Sequence, residues 1–344
     1  MNLHEMRDQA RDKLKGTCGV FRVCDGDPTH VCMGLKYGDV PGMGGAGSGR
    51  SFYNNFLALE RLHLRTRVVG PAFTPDTSSE LFGLRLSMPI IGASTSGMRT
   101  SIKGAMTEEQ LCESTVLGCK AAGTLSGRGD GADTIEHNPG LAAIQKAGGW
   151  GIQVYKPVEQ GLLLERIRRA EEAKVTAVGV DLDGFGSINM AKIGYPVYRK
   201  TPEELREIVR STRLPVVFKG VMDVEDARHV VDSGAAAIGV SNHGGRVLDY
   251  TPGVAEVLPG IVDACGGKLT VIADGAVRSG FDALKLLALG ADAVMVGRPL
   301  IQSAVGGGVE GVRLHMEFMR ETLAQAMRLT DCPDVASIGR HVLC

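Results

Sequence analysis

The sequence predicts an α/β fold: eight parallel strands closed into a (β/α)8 TIM barrel, with an N-terminal extension packed on it. Three observations predict it. From about residue 86 onward, short β-branched apolar runs alternate with amphipathic helical stretches. There are eight such runs, the number that closes a parallel barrel. The charged and glycine-rich turns follow the later runs, whereas an open doubly wound sheet usually carries its phosphate fingerprint after the first strand.

The first 85 residues read as an extension, too short and irregular for an independent domain. They hold a helix near residues 3–14, a Cys- and Gly-rich segment, and a helical stretch over 51–62. The glycine run "GMGGAGSG" (42–49) precedes any convincing strand, so it reads as a loop lying over the barrel mouth rather than as a dinucleotide fingerprint. Residues 86–344 form the barrel. Its candidate strands are 87–94, 121–127, 151–156, 177–182, 215–220, 237–242, 270–275 and 293–298. Continuous apolar runs of this kind are buried on both faces, as in a parallel sheet covered by helices. The helical stretches carry start and stop signals. Thr107 precedes a Glu pair. Thr201, Pro202 and Glu204 make a capping box with proline at the first helical position. "DVEDARHVVDSG" and "GFDALKLLALG" end in the glycine expected at a helix terminus.

Composition narrows the class. The 344 residues are 44% hydrophobic and 22% charged, which suits a globular protein with a sizeable core. A net charge of −1 provides no global field for nucleic acid or anionic lipid. The polar N-terminus has no apolar core segment of a secretory signal, and no apolar run reaches membrane-spanning length, so a cytoplasmic protein is expected. Five of the eight cysteines are scattered and read as reduced, packed thiols. Cys18, Cys24 and Cys32 cluster with His30, but their spacing lacks the tight pair that zinc or iron–sulfur sites prefer. Free thiols are the favoured reading, ahead of a redox pair or a metal site.

In such barrels the active site lies at the C-terminal ends of the strands, with phosphate often bound after the last two. Asp181 ends the fourth strand and Lys219 the fifth. Ser241, Asn242, His243, two glycines and Arg246 follow the sixth. Asp274, Gly275 and Arg278 follow the seventh, and Gly297 and Arg298 the eighth. Gln153 and Tyr155 share one face of the third. Any one of these residues alone reads as structural; their joint placement on consecutive strand ends reads as a site. The backbone of "DGAVRSG" and "GRP", with Arg298 and Arg278, suits a phosphate. Lys219 places a cation near a group that becomes anionic, His243 exchanges a proton near neutral pH, and Arg246 grips a carboxylate. Together they indicate redox or proton chemistry on a small organic acid beside a phosphate-bearing cofactor.

The stretches "IQVYK", "VVFKGV", "VSNHGGRVLDY" and "ADGAVRSGFDALKLLALGADAVMVGRP" resemble the FMN-dependent α-hydroxy acid oxidase and dehydrogenase family over roughly residues 86–330. The resemblance implies FMN and oxidation of a small, lactate-like L-2-hydroxy acid to the 2-oxo acid. It implies that His243 takes the substrate hydroxyl proton while hydride passes to the flavin, that Arg246 holds the substrate carboxylate and that Tyr155 hydrogen-bonds the substrate. Lys219 would stabilise the reduced flavin and Asp181 the imidazolium. Ala93, Ser94, Thr95, Gln153, Ser241, Asp274, Gly275, Arg278, Gly297 and Arg298 would contact the cofactor. No metal is implied, and a homotetramer is expected.

The chain departs from that family at its substrate wall. A tyrosine common in the family is replaced by Pro41, and an arginine seven residues after Asp181 by Ile188. A threonine common on the fourth strand is Gly179. The loop after the second strand, "SGRGDGAD", brings Arg128 and Asp130, with Arg128 as a possible replacement cation. Two other readings compete: an FMN-dependent isomerase of the isopentenyl diphosphate type, and a flavin or thiol redox sensor. The pairing of His243 with Arg246 weighs against the first, and the retained Lys219, His243 and Arg246 against the second.

Overall fold

The computed structural model describes residues 1–14, 44–102, 104–131 and 137–344. Cys18, Cys24, Cys32, His30 and Pro41 lie outside the described residues. Ten strands occur in the described chain: β1 (Ser79–Leu81), β2 (Leu84–Leu86), β3 (Ile90–Thr95), β4 (Ser126–Gly129), β5 (Ile152–Tyr155), β6 (Ala177–Asp181), β7 (Val216–Val221), β8 (Ala237–Val240), β9 (Thr270–Ala273) and β10 (Ala293–Val296). Strands β3 to β10 are parallel neighbours in chain order, and β10 pairs with β3 to close the barrel. A strand occurs at each of the eight expected places, most of them shorter than the apolar run; β4 lies later than expected, at Ser126–Gly129 rather than 121–127, because the preceding helix runs on to Ala121 and a turn follows it.

The helices are α1 (Leu3–Leu14), α2 (Arg50–Glu60), α3 (Met98–Ile102), α4 (Glu108–Ala121), α5 (Pro139–Lys146), α6 (Gln160–Glu172), α7 (Ile188–Lys192), α8 (Pro202–Arg210), α9 (Val224–Ser233), α10 (Val254–Cys265), α11 (Gly280–Ala288) and α12 (Arg298–Leu329), which bends at Gly307 and Gly308. The Thr201–Glu204 capping box forms, and Thr107 makes a second one with Gln110. Gly234 closes α9 in the left-handed conformation.

Two apolar layers hold the barrel. Val178, Val180, Phe218, Ile238 and Val240 face the helices, while Ile152, Val154, Ala177, Val217, Ala237 and Ile272 face the barrel axis. The antiparallel hairpin of β1 and β2 went unread in the sequence. Its turn places Phe82 and Gly83 at positive φ, the conformation of a tight two-residue hairpin. Leu81 and Leu86 join the inner layer, so the hairpin stoppers the end where the strands begin. The N-terminal extension packs on the barrel: α1 lies against α12, and α2 lies against the loop after β8.

Candidate active site

A cavity opens at the C-terminal ends of the strands. Among its lining residues are Ala93, Ser94, Thr95, Lys156, Lys219, His243, Arg246, Asp274, Gly275, Arg278, Gly297 and Arg298. Ile188, Asn189, Met190 and Val247 line it as well. The space it encloses, counting the open mouth, is about 1300 Å³.

The loop after β8 presents His243. The residue sits in the left-handed region at φ 55°, an uncommon conformation for a side-chain-bearing residue. Several bonds hold it there. Its backbone N–H donates to Ser241 Oγ at 3.1 Å, and Ser241 Oγ donates to Asp274 Oδ2 at 2.7 Å. Asn242 is buried and exchanges hydrogen bonds with Asn55 of α2 at 2.9 and 3.2 Å. Ala46 N–H donates to the carbonyl of Gly245 at 2.8 Å. At Gly245 a side chain has no room, since a Cβ would lie 2.3 Å from the Phe52 nitrogen. The extension therefore braces the loop that carries His243, and residues 44–46 of the glycine run bond to it and to Arg298. Asn55 was not legible as a supporting residue, because nothing in the local sequence of α2 marks what it supports.

Asp183 is the carboxylate on His243: Nδ1 and Oδ1 are 3.0 Å apart. The sequence reading assigned that role to Asp181, and the structure corrects it. Asp181 Oδ2 accepts from Lys156 Nζ at 2.7 Å, and its Oδ1 lies 3.4 Å from Lys219 Nζ. Burial raises the carboxyl, but the charges of Lys156 and Lys219 outweigh it and hold Asp181 well below the usual carboxylate range. Burial opposes the charge on Lys219, but Asp181, Asp274 and Asp183 together outweigh it and hold Lys219 above its ordinary value. Asp274 is shifted upward by burial, with Lys219 opposing. Burial brings the Arg246 guanidinium down to about 10.

Three further expectations are redirected. Tyr155 and Gln153 do share one face of β5, but it is the face toward the helices. Tyr155 pairs in register with the outward Val180, and its hydroxyl donates to the Arg166 carbonyl at 3.0 Å. Neither residue lines the cavity, and Lys156 takes the inward position above Val154. Arg128 is not a cavity cation. It is fully buried behind β4, donating to Thr115 Oγ1 at 2.9 Å and Thr95 Oγ1 at 3.2 Å and lying 3.5 Å from Glu108. Glu108 in turn accepts from the backbone N–H groups of Gly97 and Met98, so Arg128 props the loop after β3. Ser241 supports the site from beneath through Asp274 and His243 rather than lining it. Asp130 does line the cavity, where burial pushes it up to about 6 against the charges of Lys156 and Arg166.

The residues present fit FMN. Asp274 Oδ1 and Ser94 Oγ are buried polar atoms on the cavity wall with no hydrogen-bond partner in the structure, the condition that a cofactor rich in donors and acceptors relieves. Arg278 and Arg298 line the cavity as well. Arg298 lies over the Phe52 ring at 4.3 Å, donates to the Gly44 and Gly244 carbonyls at 2.8 Å, and opens α12. A helix N-terminus with arginines beside it is an anion site.

A sequence profile of the FMN-dependent dehydrogenase family matches residues 42–192 and 190–344. The 4-hydroxymandelate oxidase of Amycolatopsis orientalis is 32% identical, over 86% of this chain and 90% of its own. 2-Hydroxyacid oxidase 1 of Homo sapiens is 30% identical, over 87% and 90%. Among solved structures, mandelate oxidase with benzoyl-formic acid superposes with a TM-score of 0.79 at 29% identity, over 100% of this chain and 97% of that one. The isomerase and thiol-sensor readings gain no support from these relatives. With the barrel, the cavity and the matched sequence in agreement, the chain belongs to the FMN-dependent dehydrogenase family, and it is an FMN-dependent oxidoreductase of the 2-hydroxy acid oxidase kind.

Proposed function

We propose that this protein oxidises a small, lactate-like L-2-hydroxy acid to the 2-oxo acid. The observation that carries the reading is the His243–Asp183 pair at 3.0 Å, opening on the same cavity as Arg246 and Lys219. A carboxylate only accepts, so Nδ1 of His243 carries the proton and Nε2 is left to take one from the substrate hydroxyl. Arg246 holds the substrate carboxylate with its planar fork. FMN, when bound, supplies the two-electron acceptor for the hydrogen on the substrate Cα. Ala93, Ser94 and Thr95 would hold its ring end, and Asp274, Gly275, Arg278, Gly297 and Arg298 its phosphate end. Lys219 sets a buried positive charge against the negative charge that develops. Ile188, Met190 and Val247 give the substrate wall an apolar stretch that suits a short aliphatic substituent. The resemblance alone carries the expectation of a homotetramer.

The test is the visible spectrum of the protein without air, before and after a panel of 2-hydroxy acids. The expected result is a yellow band that a small L-2-hydroxy acid bleaches, and a His243→Ala variant that stays yellow in its presence. Admitting air then shows whether O₂ restores the band. A protein that takes up no FMN, or a His243→Ala variant bleached at the wild-type rate, overturns the proposal.

A further inference from the structure

We infer that Lys156 is a second cation of the reaction centre: it shares Asp181 with Lys219, leaves the two lysines one positive charge in excess, and thereby strengthens the hold of the bound cofactor on negative charge. The inference rests on the reading of this cavity as the FMN site.

The geometry is built for it. Lys156 follows Ile152 and Val154 on the inward ladder of β5 and comes out at the cavity wall. Its backbone N–H donates to Asp130 Oδ1 at 2.7 Å, and its side chain passes over Gly184, where a Cβ would lie 2.9 Å from its Cδ. The ammonium then meets Asp181 Oδ2 at 2.7 Å, while Lys219 lies 3.4 Å from Oδ1. All three side chains are at most 8% exposed, so water screens the charges poorly. Two ammonium groups on one carboxylate leave a net charge of +1. Asp130 pairs with Arg166 and Asp183 with His243, while Asp274 acts on Lys219; whatever charge these acids carry, removing Lys156 takes one unit of positive charge from the cluster. With Lys219 alone on Asp181 the group would be neutral.

The probe is sulfite, whose sulfur lone pair bonds to the oxidised flavin ring, adds negative charge there and bleaches the visible band. Its Kd is read by titration of the FMN-loaded protein, with no substrate or turnover needed. Lys156→Met is expected to weaken sulfite about tenfold, and to lower the midpoint potential by about 30 mV, the two-electron equivalent of a factor of ten. Lys156→Met combined with Asp181→Asn restores the net charge of +1 and is expected to bind sulfite within about threefold of wild type. Lys156→Arg keeps the charge and the affinity, which provides a readout if the methionine variant does not fold. An unchanged Kd in Lys156→Met overturns the inference, as does equal weakening in the single and double variants or tenfold weakening in Lys156→Arg. A protein that holds no FMN sinks the functional reading instead, so the two failures are distinguishable.

Discussion

Asp181 is held by two ammonium groups and Asp183 by one imidazole, although only Leu182 separates them. Asp181 still belongs to the inward ladder of β6, at the level of Lys219 in the register with β7. Asp183 lies past the end of β6 in a short 3-10 turn, which carries its carboxylate to the imidazole. Removing the carboxylate from Asp183 while keeping its shape tests this division. Asp183→Asn should retain FMN and slow flavin reduction by substrate about 100-fold, the lower end of what a positioned base contributes. Asp183→Glu should recover part of the rate. Stopped-flow reduction measures both, and a wild-type rate in Asp183→Asn would return the role to Asp181.

At the scale of the element, β7 shows how a strand end is shaped to the site. Its register with β8 slips between Lys219 and Val221. The residue in that bulge, Gly220, has φ 92°, and a Cβ there would lie 2.4 Å from the Asp183 carboxyl carbon. A bulge re-aims the residues around it, here bringing the Lys219 and Asp183 groups to one place. Gly220→Ala adds left-handed strain and displaces Asp183. It should cost about 1–3 kcal/mol of stability and slow reduction more than the melting temperature alone accounts for. Thermal unfolding and reduction of the same sample separate the two effects; full activity would show that Asp183 reaches His243 without the glycine.

At the scale of the whole molecule, the barrel and the extension meet around α12. His315 on that helix is 5% exposed, its Nε2 has no hydrogen-bond partner, and its ring lies 6.0 Å from that of Phe318. Burial, aided by the charges of Arg7 and Arg278, brings it down to about 3. The unfolded chain takes up this proton near pH 6.5 and the folded chain only near pH 3, so the stability linked to His315 is complete above 6.5. It is lost as pH falls toward 3, at up to about 1.4 kcal/mol per pH unit. His315→Leu should therefore flatten acid unfolding across that window and move its midpoint to lower pH. Circular dichroism against pH reads the change, and an identical acid curve would exclude His315 as its source.

Much of this architecture was legible in the sequence, because it depends on local pattern. The eight strands show as β-branched runs, the helix starts as capping boxes, and the site as charged residues gathered at consecutive strand ends. The sequence by itself determined the barrel, its order, and the approach of Lys219, His243 and Arg246 to one cavity. It also determined that Gln153 and Tyr155 share a face. Which face they share was decided only by the tertiary structure, since a period of two says nothing about inside or outside until neighbouring strands set the register. The same holds for Arg128, whose charge looks available in the sequence and is consumed behind β4 by Glu108, Thr95 and Thr115. The partner of His243 and the brace from Asn55 depend on residues far apart in the chain, and packing alone selects among the carboxylates and amides within reach. Pattern along a chain fixes what each segment becomes; the closing of the barrel fixes which charges meet, because a buried charge settles on whichever partner the fold brings to it.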